Sequence, residues 1–196
     1  MSDEIFEVEF RGKKFLFYRT PTAGALINEI FADNYKVFEK GLQFKDGDVI
    51  LDVGANEGMF SILMAKMFPE ARVVSLEPVP RTFFQMIRNI GLNGVTNIEP
   101  LNVGVGAKVD LQAMMNVHNE FSGGSSLVDT FDPANHEKVN VAIRPLDEFI
   151  MRYGPVKLLK IDIEGGEHAA VYACTKLADV ENVVAEIHIN NRLELS

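Results

Sequence analysis

The segment Ile50-Leu51-Asp52-Val53-Gly54-Ala55-Asn56-Glu57-Gly58 constrains the fold of this chain more than any other. It begins as an apolar strand and runs into a helical pattern, Met59 to Met67, so the chain passes from one to the other over a few small residues. Glycines at 54 and 58 permit a tight turn and let a ligand lie against bare backbone. Their spacing is G-x-x-x-G, not the G-x-G-x-x-G of dinucleotide enzymes, and no third glycine offers close approach to a pyrophosphate. The turn is therefore read as a seat for a nucleoside without phosphates. Asp52 would lie near the ligand's ammonium group, and Gly54, Asn56, Glu57 and Gly58 would line the seat. Strand-to-helix turns also carry two glycines for structural reasons alone.

Around this turn the chain alternates strand and helix. Val49–Val53, Arg72–Glu77, Thr96–Val103, Val109–Met115, Val139–Arg144, Val156–Ile163 and Asn182–Ile189 read as strands. Helices are expected at Met59–Met67, Arg81–Leu92, Leu146–Arg152 and Glu167–Lys176. Strands rich in Val, Ile and Leu between helix-length segments indicate a mostly parallel sheet covered on both faces, and right-handed crossovers make it a doubly wound α/β fold. Before it, Ile5–Phe10 and Lys14–Tyr18 flank Arg11-Gly12-Lys13 as a β-hairpin. Ala23–Glu39 has near-helical spacing, as two short helices broken around Asp33-Asn34. Residues 1–45 thus form a lead-in, and 46–196 the doubly wound domain. The 196 residues, 47% of them hydrophobic, suffice for one sizeable core.

The second strand ends in Glu77-Pro78, about twenty residues after the turn, where an acid can accept both ribose hydroxyls of a nucleoside. Pro78 and Val79 are placed to pack on the base, with Asn102 and Val103 on its other side. The net charge of −9 disfavours nucleic-acid phosphates as partners. No run approaches the ~18 apolar residues of a membrane span, and the acidic start lacks the order of a secretory signal. The single cysteine, Cys174, forms no internal disulfide and reads as a buried or half-buried thiol. A cytoplasmic location is expected.

Taken together, Asp52–Gly58, Glu77–Pro80 and Leu159–Glu167 resemble the FkbM-type branch of class I methyltransferases. The most specific element is Lys160-Ile161-Asp162-Ile163-Glu164-Gly165-Gly166-Glu167. Asn89, Asn93, Arg144–Glu148 and Glu186-Ile187-His188 are further echoes. The resemblance implies a seven-stranded Rossmann-like fold, S-adenosylmethionine as cofactor with S-adenosylhomocysteine as product, and a small-molecule acceptor, usually a hydroxyl of a sugar, polyketide or similar metabolite. Class I methyltransferases usually add two strands beyond the fifth, whereas this chain stops at Ser196. A sheet edge and part of the acceptor pocket are then left to the N-terminal hairpin or to a partner chain, with a homo-oligomer as one option.

Methyl transfer to a hydroxyl needs a base. Asp162, at the carboxyl end of its strand, and His188, on one strand face with Glu186, are the candidate catalytic residues. Glu167 stands in a first helical turn, where its charge suits the helix dipole. His118 and His136 lie in polar loop sequence, and His168 at a helix start. Asp162, Glu186 and His188 together would suit Mg²⁺, which the family pattern does not require, so no metal ligand is assigned. Asn119–Leu127 reads as a loop able to cover the site. Phe83, Phe84, Met86 and Ile87 have the spacing of a core face. N-methylation of an amine or peptide, and a cofactor-binding module without turnover, remain as alternatives.

Overall fold

The computed structural model describes residues 4–32, 35–119 and 134–186. It begins with an antiparallel hairpin, β1 (Ile5–Phe10) and β2 (Lys13–Tyr18), which turns at Arg11 and Gly12 with both φ angles positive. Such a turn matches the right-handed twist of the strands it joins. Helix α1 (Ala23–Phe31) follows. Then come β3 (Val49–Val53), α2 (Met59–Met67), β4 (Arg72–Leu76), α3 (Pro80–Asn93) and β5 (Ile98–Leu101). Strands β6 (Gly104–Gly106), β7 (Asp110–His118) and β8 (His136–Pro145) precede α4 (Leu146–Tyr153), β9 (Val156–Ile161), α5 (Glu167–Ala173) and β10 (Val180–Ala185). Among the described residues no helix is long and apolar enough to cross a membrane.

Strands β10, β9, β3, β4 and β5 lie side by side in that order, all parallel. The winding runs outward through β4 and β5 on one side of β3, and through β9 and β10 on the other. It reverses between β3 and β9, which makes that gap the switch point of a doubly wound sheet. Alternation along each strand sorts the two faces. Ile50, Val73 and Leu158 join a core with Phe15 and Phe17 of the hairpin, Ile30 of α1, and Phe60 and Leu63 of α2. Leu51, Val53, Val74, Leu76, Leu159 and Ile161 face the other way, onto Leu146, Phe149 and Ile150 of α4 and Ala170 of α5. On the first face, at the carboxyl ends of the strands, the apolar pattern gives way to buried Asp52, Ser75 and Lys160.

Some expectations are corrected. Val109–Met115 and Val139–Arg144 do not join the parallel sheet: β7 and β8 pair antiparallel, β6 lies parallel to β8, and the three form a separate sheet. Only Asn102 and Val103 separate β5 from β6, too few for the crossover of about a dozen residues that a parallel neighbour needs. The main sheet has five strands among the described residues, not the seven that the resemblance implied. The hairpin also does not complete an edge of that sheet. It is a sheet of its own, laid on α2 and α3.

That docking explains a further departure. The free edge of β2 finds its hydrogen bonds in amide side chains of α3. The Tyr18 amide donates to Asn89 Oδ1 (3.1 Å), the Leu16 amide to Asn93 Oδ1 (3.1 Å), and Asn93 Nδ2 donates to the Leu16 carbonyl (2.6 Å). The inner stripe of α3 is therefore Thr82, Gln85, Met86 and Asn89, and Phe84 and Ile87, expected in the core, are exposed. An edge strand must satisfy its backbone groups, and here polar side chains do so.

Candidate active site

The turn after β3 opens the site. The Gly54 and Ala55 amides both donate to the Leu76 carbonyl at the end of β4, which ties the turn to its neighbour (3.0 and 2.9 Å). Asn56 takes a left-handed φ of 52°, tolerable because its short amide suits that region. Both glycines are demanded by close protein neighbours. At Gly58, with φ 82°, a Cβ would stand 2.7 Å from Met86 Cγ of α3. At Gly54, with φ 78°, it would meet the backbone carbonyl of Asp162.

Asp52 is fully buried beneath the turn. Ser61 Oγ of α2 donates to its Oδ2, and Ser75 in turn hydrogen-bonds Ser61 (2.7 Å). Its Oδ1 faces the Lys160 ammonium at 3.4 Å. Lys160, also buried, donates to the Gly54 carbonyl (2.8 Å) and lies 3.6 Å from Asp162 Oδ2. Burial opposes the charge of Lys160, but Asp52 and Asp162 outweigh it and hold its pKa above the usual lysine range. One buried cation thus touches the acid of the turn, the turn's own backbone and the candidate base.

Glu77 is buried at the end of β4. Its Oε2 accepts the Asn56 amide (3.0 Å) and its Oε1 the Val79 amide (2.8 Å). Burial pushes this carboxyl up to about 7, against the pull of the Val79 and Asn56 amides. Asn102 Nδ2 donates to the Glu77 and Pro78 carbonyls (2.8 and 2.9 Å) and fixes that corner. Val103 is half-buried beside it. Val79, expected on the base, is instead buried in the core of the three-stranded sheet with Met115, Val117, Val141 and Ile143.

Glu57 lines the cavity beside the turn, and its carboxylate accepts hydrogen bonds from Thr20 (2.7 and 3.0 Å) and Thr22 (2.8 Å), anchoring the chain between β2 and α1. Glu167 accepts the Ile163 and Gly165 amides (2.9 and 3.0 Å), so it braces the exit from β9. The Cys174 thiol is half-buried and donates to Asp147 (2.8 Å); burial, then the Asp147 carboxylate, pushes it up to about 11. His118 and His136 stand opposite each other on β7 and β8 rather than in loops, and His168 is exposed on α5. His188 and most of the Asn119–Leu127 loop lie outside the described residues.

Asp162, its side chain one-fifth exposed, borders a cavity of about 20 Å³ between α1 and the turn. Two residues beside Asp162 were not foreseen from sequence. Tyr35 Oη lies 2.9 Å from Asp162 Oδ2 and 3.1 Å from Glu29 Oε1. Glu29, Asp162 and Glu186 bring carboxylate oxygens within 4.8 Å of one another and are the described residues able to hold a divalent cation. Glu29 sits in a plain amphipathic helix and Tyr35 in a turn, so neither carried a motif; Lys160 was visible only as part of one.

Residues 52–192 match the methyltransferase FkbM domain. Methyltransferase 1 of Beauveria bassiana (strain ARSEF 2860) is 29% identical over 177 residues, 78% of this chain and 69% of that protein. Methyltransferase sdnD of Sordaria araneosa is 25% identical, over 72% of this chain and 65% of its own length. The 31-O-demethyl-FK506 methyltransferase FkbM of Streptomyces tacrolimicus is 28% identical, over 83% and 74%. This chain spans roughly two thirds to three quarters of these relatives.

Proposed function

This chain belongs to the methyltransferase FkbM domain family, and on that premise we propose that it transfers the methyl group of S-adenosylmethionine to a hydroxyl of a small acceptor such as a sugar or polyketide-like metabolite. The observation that carries this reading is the meeting, at the switch point, of the Gly54 turn with the Asp162 carboxylate through Lys160.

The residues present suit the cofactor. Each Glu77 oxygen accepts one amide and keeps acceptor capacity for a ribose hydroxyl. Asn56 Oδ1 is buried with no hydrogen-bond partner among the described residues, an acceptor suited to the ammonium of the methionine part. Pro78, Asn102 and Val103 would border the base, and Gly54 and Gly58 the methionine part. Asp52, under the turn, would act on the ammonium through the turn it braces. Bound there, the cofactor supplies a methyl group on a positively charged sulfur.

The chain's part is to align the acceptor oxygen and take its proton. Asp162 is the proposed base, with its charge paired to Lys160; His188 is the second candidate. The relative named for 31-O-demethyl-FK506 favours an oxygen acceptor. The carboxylates of Glu29, Asp162 and Glu186 would also attract an amine. Yet carboxylates that hold an ammonium keep it protonated, and a protonated amine cannot attack.

Calorimetry with S-adenosylmethionine and S-adenosylhomocysteine, followed by labelled-methyl transfer into a metabolite pool, tests the proposal. Binding of both and a labelled O-methyl product are expected. No binding of either at millimolar concentration overturns it.

A further inference from the structure

We propose that Tyr35 is a positioning residue for methyl transfer: its hydroxyl, together with Lys160, holds one oxygen of the Asp162 carboxylate so that the other faces the acceptor. This rests on Asp162 being the base proposed above. Tyr35 lies outside residues 52–192, the stretch that matches the family, so a residue of the N-terminal segment sets the geometry of an acid inside it.

The backbone of Asp162 is already fixed. Its amide donates to the Val53 carbonyl (3.1 Å), and its carbonyl oxygen packs against Gly54. What is left is rotation of the carboxylate about the side-chain torsions. Two contacts oppose that rotation, and both fall on the same oxygen. Tyr35 Oη donates to Oδ2 (2.9 Å), and Lys160 Nζ lies 3.6 Å from it. Oδ1 has no hydrogen-bond partner among the described residues, and the side chain is one-fifth exposed. Each carboxylate oxygen is an acceptor in its own right, so Oδ1 is the one open to the acceptor's proton.

The phenol can hold Asp162 because it is itself held. Tyr35 is nearly buried, its ring edge-on to Phe60 with centroids 5.5 Å apart and the Lys160 ammonium 5.6 Å from its own centroid. A buried tyrosine hydroxyl needs a partner. Two stand within reach, Asp162 Oδ2 at 2.9 Å and Glu29 Oε1 at 3.1 Å, and the phenol has one proton to give. That proton lies on the shorter contact, toward Asp162.

The consequence falls on rate rather than on binding. A carboxylate free to rotate turns Oδ1 away from the acceptor in part of the bound complexes, whereas a held one is aligned in each. Tyr35 donates to the base and not to the reacting oxygen, so losing its hydroxyl should lower kcat and spare KM.

Tyr35→Phe tests this, because it removes the hydroxyl and keeps the ring. Carboxyl ¹³C spectra of wild type and variant are compared at one fixed pH near neutrality, without cofactor and with a chelator present. The Asp162 resonance should move in Tyr35→Phe. An unmoved Asp162 resonance shows the hydroxyl donating elsewhere and overturns the proposal. The rate assay is labelled-methyl transfer from S-adenosylmethionine into a fixed pool of sugars, polyols and hydroxy acids. Tyr35→Phe should lower the maximal rate by about 10- to 100-fold, with the half-saturating pool concentration and the cofactor affinity each within about twofold of wild type. A raised half-saturating concentration at an unchanged maximal rate makes Tyr35 an acceptor-binding residue and overturns the positioning role. A rate loss that vanishes once corrected for the folded fraction, measured by urea denaturation, overturns it too. Wild-type turnover in Tyr35→Phe with Asp162→Asn inactive also overturns it and leaves the base standing. Wild-type turnover in Asp162→Asn overturns the base itself.

Discussion

At the switch point of the sheet, the backbone oxygen of Asp162 stands so close to Gly54 that a Cβ on residue 54 would lie 1.8 Å from it. The Asp162 amide also donates to the Val53 carbonyl (3.1 Å). The glycine turn and the candidate base thus share one rigid backbone contact. Any shift of the turn moves the base with it.

Gly54→Ala should therefore fail to reach a stable native state, because backbone cannot yield as a side-chain tip can. Gly47→Ala is the comparison. Its φ is also positive, at 86°, but no atom lies within 4 Å of a Cβ there, so only the left-handed strain of about 1–2 kcal/mol applies. Urea denaturation of the two variants separates close contact from strain. Equal losses would contradict the account.

The buried pair Asp52–Lys160 predicts a non-additive response. Lys160→Met leaves Asp52 without its cation and should cost about 3–5 kcal/mol of stability. Asp52→Asn combined with Lys160→Met removes both charges and should recover part of that loss. A double-mutant cycle by chemical denaturation measures the coupling.

Glu77 predicts a pH dependence. Its folded pKa, about 7, lies above the ordinary value, so its contribution to stability is fully present below about pH 4.5 and is lost as pH rises through 7. Glu77→Gln does not ionise. Its stability relative to the wild type should therefore improve between pH 5 and pH 8, by as much as about 3 kcal/mol. Thermal melts across that range read the difference. Cofactor affinity should be weaker in the variant.

The docking of the hairpin on α3 gives a local prediction. Asn93→Ala strips Leu16 of the acceptor for its amide and the donor to its carbonyl and should cost about 1–3 kcal/mol. Asn89→Ala should leave the Tyr18 amide without its acceptor and the Glu57 carbonyl without the Asn89 Nδ2 donor. Hydrogen exchange should speed up at Leu16 in the first variant and at Tyr18 in the second.

Much of the architecture was legible in the sequence. The run Val49–Leu51 is apolar without alternation because β3 is buried on both faces, and Asp52 stands out as the one charged residue of the strand. Asp52, Glu77, Lys160 and Asp162 were visible because each ends or nearly ends such a run. Phe84 was misread because helical spacing reports which residues share a face, not what that face meets. The fate of Glu57 depended on Thr20 and Thr22, more than thirty positions earlier.

The sequence by itself determined the strand–turn–helix at Asp52–Gly58, the acids at the strand ends and the family these belong to. These are local patterns, and backbone geometry reads them directly. Only the tertiary structure decided what occupies each neighbourhood. It set Gly54 against the backbone of Asp162, made Lys160 the cation shared by two acids, and brought Glu29 and Tyr35 from the lead-in to the side of Asp162. Those relations depend on which strands become neighbours and which helix covers them. Hydrophobic burial of the whole chain settles that, through contacts between residues far apart in sequence.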